Sequence, residues 1–210
     1  MFSRVNITFS VCICICLYFC FCCSTGANVQ QTLQQGDLLF QTSSGSDFGN
    51  AVEDATRIDT LQSYAHVGIV VMNGEKFAVA EATGQGVVLT PPDTFFNRNV
   101  QTHIFRLDSE YHHFIPQVLK YCIMQTGKHY DSAFLPDNGK FYCSELITEA
   151  FKFANNGDDF FQLQPMTFKS GGEFLPYWIS LYKDLDMEIP EGVSGSNPTT
   201  LSRDKRLKRR

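Results

Sequence analysis

Two β-rich runs, 64–72 and 76–82, flank Asn73-Gly74, and this pairing constrains the chain more than any other feature. Asn-Gly between such runs favours a two-residue type I′ hairpin. With Asn73 and Gly74 as the loop, Met72 opposes Glu75 and His66 opposes Glu81. Opposed residues leave the same face of a sheet with Cβ atoms about 4.5–5.5 Å apart, so the carboxylate can accept from one imidazole nitrogen and leave the other free. A loop one residue longer would send Glu81 to the opposite face. An ionisable pair aligned across an otherwise apolar hairpin needs a purpose, because burying a carboxylate without a partner is costly.

The group that such a pair would serve lies further on, in Tyr142-Cys143-Ser144-Glu145-Leu146. From Cys143 the apolar residues Leu146, Ile147, Ala150, Phe151 and Ala154 recur at helical spacing, and the preceding 135–139 segment, Leu-Pro-Asp-Asn-Gly, is turn chemistry. A helix is therefore expected to start at Cys143, with its sulfur among unpaired N–H groups at the positive end of the dipole. Such a position favours a thiolate nucleophile and also supplies N–H donors for an oxyanion. Cys122 differs, falling on the apolar stripe Ile115, Val118, Leu119, Cys122, Ile123 of another predicted helix, and reads as core. Among the other histidines, His103 alternates along a predicted strand and is the reserve partner for His66; His112, His113 and His129 read as loop or surface residues.

In order, Gly36-Asp37-Leu38-Leu39-Phe40, the strand His66-Val67-Gly68-Ile69-Val70, Glu81, Tyr130-Asp131 and Tyr142-Cys143-Ser144-Glu145-Leu146 resemble the YiiX-like branch of the NlpC-type papain-like cysteine hydrolases. The order His, Glu, Cys is the reverse of papain's and matches circularly permuted members. The resemblance spans about residues 35–182. It implies Cys143 as nucleophile, His66 as general base and Glu81 as the residue that orients the imidazole, with Tyr142 and Tyr130 lining the substrate cleft. Gly36 and Asp37 match a structural strand-start signature, and Glu145 reads as helix N-terminal electrostatics. The implied substrates are peptide-like amides, including cell-wall peptides, or lipid esters and amides; no metal or cofactor is implied.

Composition fits one modest enzyme domain. The chain has 210 residues, enough after a leader for one core. It carries no GxGxxG, P-loop, CxxC or internal repeat. Residues 1–28 hold one charge, Arg4, and an apolar stretch from Val11 to Cys23, which reads as a signal peptide, with an uncleaved membrane anchor as the alternative. Six of the eight cysteines fall in this leader. Secretion into a periplasmic or other extracytoplasmic compartment follows, with the leader as the route to membrane association. Lipidation at Cys22 or Cys23 lacks the small preceding residues it requires.

Residues 29–202 carry 10 basic and 21 acidic side chains, an acidic body that argues against nucleic acid as a partner, whereas residues 203–210 carry 6 basic and 1 acidic. The domain is accordingly expected over 29–189, followed by a disordered basic tail over 190–210.

The fold class expected is α+β, an antiparallel sheet packed against the helix that carries Cys143. Strands are placed near 37–42, 65–72, 76–83, 86–90 and 101–107, and helices near 47–57, 112–126 and 143–155. The aromatic segment beyond 158 is expected to wrap the sheet or wall the cleft. The function expected is acyl transfer to water. A lipid acyltransferase or phospholipase would use the same three residues and is marked by an apolar channel beside Cys143; a binding module would keep the fold without the chemistry. The substrate is a peptide-like or lipid-like molecule, and the oligomeric state is unknown from sequence.

Overall fold

A computed structural model describes residues 33–210. The leader and its cysteines, on which the expectations of a signal peptide, anchor and secretion rest, lie outside the described residues. Chain order gives β1 (Leu38–Gln41), helix α1 (Asp47–Ala55), β2 (His66–Asn73), β3 (Lys76–Thr83), β4 (Gly86–Thr90), α2 (Pro92–Phe96) and β5 (Thr102–Leu107). A 3₁₀ turn over Ser109–Phe114 leads into α3 (Ile115–Met124), then α4 (Cys143–Ala154). Short pairs follow: β6 (Gln164–Pro165), β7 (Lys169–Ser170) and β8 (Glu173–Phe174), then α5 (Pro176–Asp184), β9 (Ser194–Gly195), α6 (Pro198–Ser202) and β10 (Leu207–Arg209). The main sheet is six-stranded and antiparallel in the order β10-β5-β1-β2-β3-β4.

Alternation along the strands separates two faces. Val67, Ile69, Val71, Ala78, Ala80 and Phe40 point to the side covered by α3 and α4, where Leu146, Ile147, Ala150 and Phe151 complete the largest core cluster. Burying each such side chain stabilises the fold by about 1.5–3 kcal/mol. Leu39, Val70 and Val79 point the other way, onto Phe95 of α2. At the sheet entrance Gly36 has φ +86° and donates its N–H to the Val70 carbonyl, while the buried Asp37 carboxylate takes two bonds from Arg106, at 2.7 and 2.8 Å. These two residues are structural, as their motif implied.

The hairpin register differs from expectation. Asn73 pairs with Lys76 and Ile69 with Ala80, so the two-residue loop is Gly74-Glu75, one position later than Asn73-Gly74. Gly74, at φ +63°, takes the first loop position, where positive φ is required. Moving the loop by one residue shifts the pairing by two, and a shift of two preserves the face. Continued, this register sets Glu81 opposite Gly68, with His66 one diagonal step away on the same face. A Cβ at Gly68 would lie 3.3 Å from that of Glu81 and 2.5 Å from a Val79 methyl, so the glycine vacates the space the pair needs.

The expected disordered tail over 190–210 is a correction, and the domain limit at 189 moves with it. β10 pairs with β5 as an edge strand, Leu207 is buried, and Arg206 binds Asp204, donates to the Phe160 carbonyl at 2.6 Å and lies 4.0 Å above the Phe160 ring. Basic residues on an exposed edge discourage pairing with other chains, which is why this strand reads as a solvated tail. The stretch before it carries β9 and α6, capped by Asn197, whose side chain accepts from Thr200 N–H. The helix expected over 112–126 begins instead as the 3₁₀ turn, with Pro116 in the first turn of α3.

Candidate active site

His66 is the first residue of β2, and its Nε2 lies 2.6 Å from Glu81 Oε2. Glu81, in mid-β3, is fully buried, which makes its ionised state depend on what surrounds it. Thr90 donates a hydroxyl to Oε1, and Arg98 grips both oxygens, at 2.7 and 2.5 Å. Burial alone would raise the Glu81 carboxyl, but the bonds from His66, Arg98 and Thr90 outweigh it and bring its pKa to about 2. For His66, burial disfavours the cation, yet the hydrogen bonds with Cys143 and Glu81 dominate and raise the imidazole to about 9. With Glu81 at Nε2, the nitrogen left for Cys143 is Nδ1.

Cys143 begins α4 after Tyr142, whose extended backbone forms the N-cap. It is buried and free, as is Cys122, whose thiol burial pushes up to about 12. Two residues on, Glu145 accepts the Tyr142 N–H at 3.2 Å; burial first, then Asp131 and Glu149, raise its carboxyl to about 8. It braces the helix start rather than touching the imidazole. His103, the reserve partner, hydrogen-bonds the Tyr64 hydroxyl at 2.7 Å and faces the other side of the sheet.

Of the two tyrosines expected to line the cleft, Tyr130 borders both hollows beside the site and Tyr142 borders only the smaller one. Tyr142 is buried; its hydroxyl accepts the Ser196 N–H at 3.1 Å and donates towards Met166 Sδ. Tyr130 sits where two hollows meet. An open cleft of about 550 Å³ is lined by His66, Arg98, Gln41 and hydroxyl residues of the 42–46 loop. A smaller cavity of about 220 Å³ is lined by Cys143, Ser144, Val52, Phe168 and Trp178. Phe48, Ala65, Tyr130 and Phe134 border both.

Sequence reasoning brought His66, Glu81 and Cys143 together and expected the aromatic segment beyond 158 to wrap the sheet or wall the cleft, as Phe168 and Trp178 wall the smaller cavity, but it missed Arg98, Thr90 and Ser196. Thr90 lies opposite Val79, two residues along β3 from Glu81, so it shares the carboxylate's face; a hairpin extended to β4 would have found it. Arg98 has no comparable signal. It follows α2 in a loop, positioned by stacking 4.7 Å over the Phe95 ring.

A family model described as permuted papain-like amidase enzyme, YaeF/YiiX, C92 family, matches residues 32–209. Among solved structures, one titled as the metalloprotein YiiX from Escherichia coli O157:H7 superposes with a TM-score of 0.66 at 23% identity, covering 84% of this chain and 96% of that one. No curated protein matches the chain. Among the described residues no group of three or more His, Cys, Asp or Glu side chains is gathered as a metal would need.

Proposed function

Because the chain belongs to the permuted papain-like amidases of the YaeF/YiiX type, a family of cysteine hydrolases, we propose that it cleaves a peptide-like amide through Cys143, His66 and Glu81. Cell-wall peptides are among the candidate substrates. The observation that carries the reading is the His66 imidazole bonded at 2.6 Å to the buried Glu81 carboxylate, with Cys143 at the start of α4 among the groups that raise it to about 9. The Cys143 thiol proton passes to His66 Nδ1, and the sulfur attacks the amide carbonyl carbon. Backbone N–H groups at the start of α4 stabilise the oxyanion. As the tetrahedral intermediate collapses, the C–N bond breaks and His66 returns the proton to the departing nitrogen. Water, deprotonated by His66, then attacks the thioester and releases the acid and the free thiol.

Glu81 acts as a positioning residue: it fixes which nitrogen faces Cys143 and favours the imidazolium. Arg98 and Thr90 hold Glu81 in turn. Tyr130 and Tyr142 are proposed to wall the substrate cleft.

A second reading, a lipid acyltransferase or phospholipase, is favoured by one observation, the largely apolar cavity beside Cys143. The test is turnover of amide and ester substrates, with mass spectrometry of the intact protein during reaction. An acyl adduct on Cys143 that is absent in Cys143→Ala and in His66→Ala supports the hydrolase reading. A protein that never acquires one contradicts it.

A further inference from the structure

Phe134 holds a backbone conformation that its side chain disfavours. Its φ is +54°, in the left-handed region that glycine enters freely and where a bulky residue is an outlier. Such a residue persists only where the surrounding structure fixes it, and such residues cluster at functional sites.

The groups that fix it are explicit. Asp131, in the Tyr130-Asp131 motif, is 1% exposed, and its carboxylate accepts from the N–H groups on either side of Phe134. Oδ1 takes the Ala133 N–H at 3.0 Å and Oδ2 the Leu135 N–H at 2.7 Å. From α5 the Tyr182 hydroxyl donates to the Ala133 carbonyl at 3.0 Å. The Phe134 ring is then held among those of Phe48, Tyr130, Tyr142, Phe168 and Trp178, with centroids 5.2–6.4 Å away.

The place where this ring is held gives the strain a use. Phe134 borders both the hollow that Cys143 lines and the one that His66 lines. Cys143 is only 6% exposed, so a substrate reaches its sulfur by a narrow approach. The leaving nitrogen must also come within reach of the His66 proton, which brings whatever that nitrogen carries past Phe134. A ring clamped at that point rejects bulk there, because it cannot give way; a ring on a free loop would swing aside.

We propose that Phe134 is a specificity-determining residue that admits amides whose nitrogen bears one substituent, joined through a carbon carrying at least one hydrogen, and rejects tertiary amides and fully substituted carbons. Asp131 is the positioning residue that holds Phe134 to this task. This rests on the hydrolase reading, in which Cys143 and His66 meet at the scissile bond.

The test alkylates Cys143 of the full chain with three chloroacetamides, N-isopropyl, N-tert-butyl and the pyrrolidine amide, each rate being divided by that of glutathione with the same reagent. Wild type should react with the N-isopropyl reagent at least about tenfold faster than with either of the others, the scale on which a shaped pocket tells apart single carbon atoms. Phe134→Gly, which accepts the same φ without strain and removes the ring, should bring the three rates within about threefold of one another. Asp131→Asn keeps the size but loses one of the two clamping acceptors, and should lower the wild-type preference by about threefold or more. It also decides the matter should Phe134→Gly not fold. A merely structural role for either residue would lower the melting temperature and leave the ratios as they were. A wild-type ratio near one, or a ratio unmoved in a folded variant, would overturn the proposal and leave the hydrolase reading standing. Cys143 alkylation no faster than that of glutathione and unchanged in His66→Ala would overturn the hydrolase reading and the proposal with it.

Discussion

The two sides of the reaction centre are built on opposite plans. On the His66 side every charged group is answered: Glu81 takes bonds from His66, Arg98 and Thr90, and Arg98 also lies over Phe95. On the Cys143 side buried polar atoms of Ser144, Trp178 and Ser196 go unanswered. A group that must keep one geometry through a reaction is fixed by the protein itself, whereas those three atoms are enclosed by packing alone. The difference teaches that polar bonds hold the His66 half in place and that aromatic packing holds the Cys143 half.

The sharpest way to break this contrast is at the nucleophile. Cys143→Ala should reduce hydrolysis by at least about 10³-fold with little change in thermal unfolding, as measured by initial rates beside calorimetry. Glu81→Gln comes next, with an expected loss of about 10²–10³-fold, since a neutral partner no longer favours the imidazolium. Its pH profile is the finer readout: the wild-type rate should fall as pH rises through about 9, where His66 loses its proton, and in the variant that limb should move to lower pH. An unmoved limb would separate Glu81 from the imidazole's function.

Stability follows the same groups. His66, raised from 6.5, contributes fully below pH 6.5, and its contribution is lost as pH rises through about 9. Glu81, lowered from 4.5, contributes fully above pH 4.5, and its contribution is lost as pH falls through about 2. Their pair should therefore be strongest between pH 4.5 and 6.5, and Glu81→Gln should flatten the pH dependence of the melting temperature on both sides.

Deleting residues 203–210 should cost about 2–3 kcal/mol from the loss of Leu207 burial alone, read from urea unfolding, and should expose the edge of β5 to self-association. The smallest effect is expected on the Cys143 side. Ser196→Ala removes a buried hydroxyl without a partner, so the unliganded protein should be unchanged or more stable by up to about 1 kcal/mol. A clear destabilisation would mean that this hydroxyl supports the fold instead.

The same contrast governs what was legible in the sequence. Glu81 and His66 could be found because strand periodicity is two: even with the loop displaced to Gly74-Glu75, the pair stayed on one face. Cys143 could be found because turn residues and helical spacing met there. Trp178 could be placed only as part of an aromatic segment too apolar to be solvated, and Ser196 not at all, since it lies in a stretch whose Pro, Gly and Ser read as linker and reaches the site through long-range packing. Arg98 was hidden for a related reason, being a loop residue whose place depends on one ring contact. The basic terminal strand misled by composition, because charge on an edge strand and charge on a free tail look alike.

The central claim is that His66 activates Cys143, and the two free thiols of the folded region offer an internal comparison. The most direct measurement is iodoacetamide alkylation of the full chain at pH 7, read peptide by peptide by mass spectrometry for Cys143 and Cys122, in wild type and in His66→Ala. Activation predicts that Cys143 reacts at least about 100-fold faster than Cys122, whose thiol is buried and held at about 12, and that its rate falls at least about tenfold in the variant. A Cys143 rate that is the same with and without the imidazole would contradict the account.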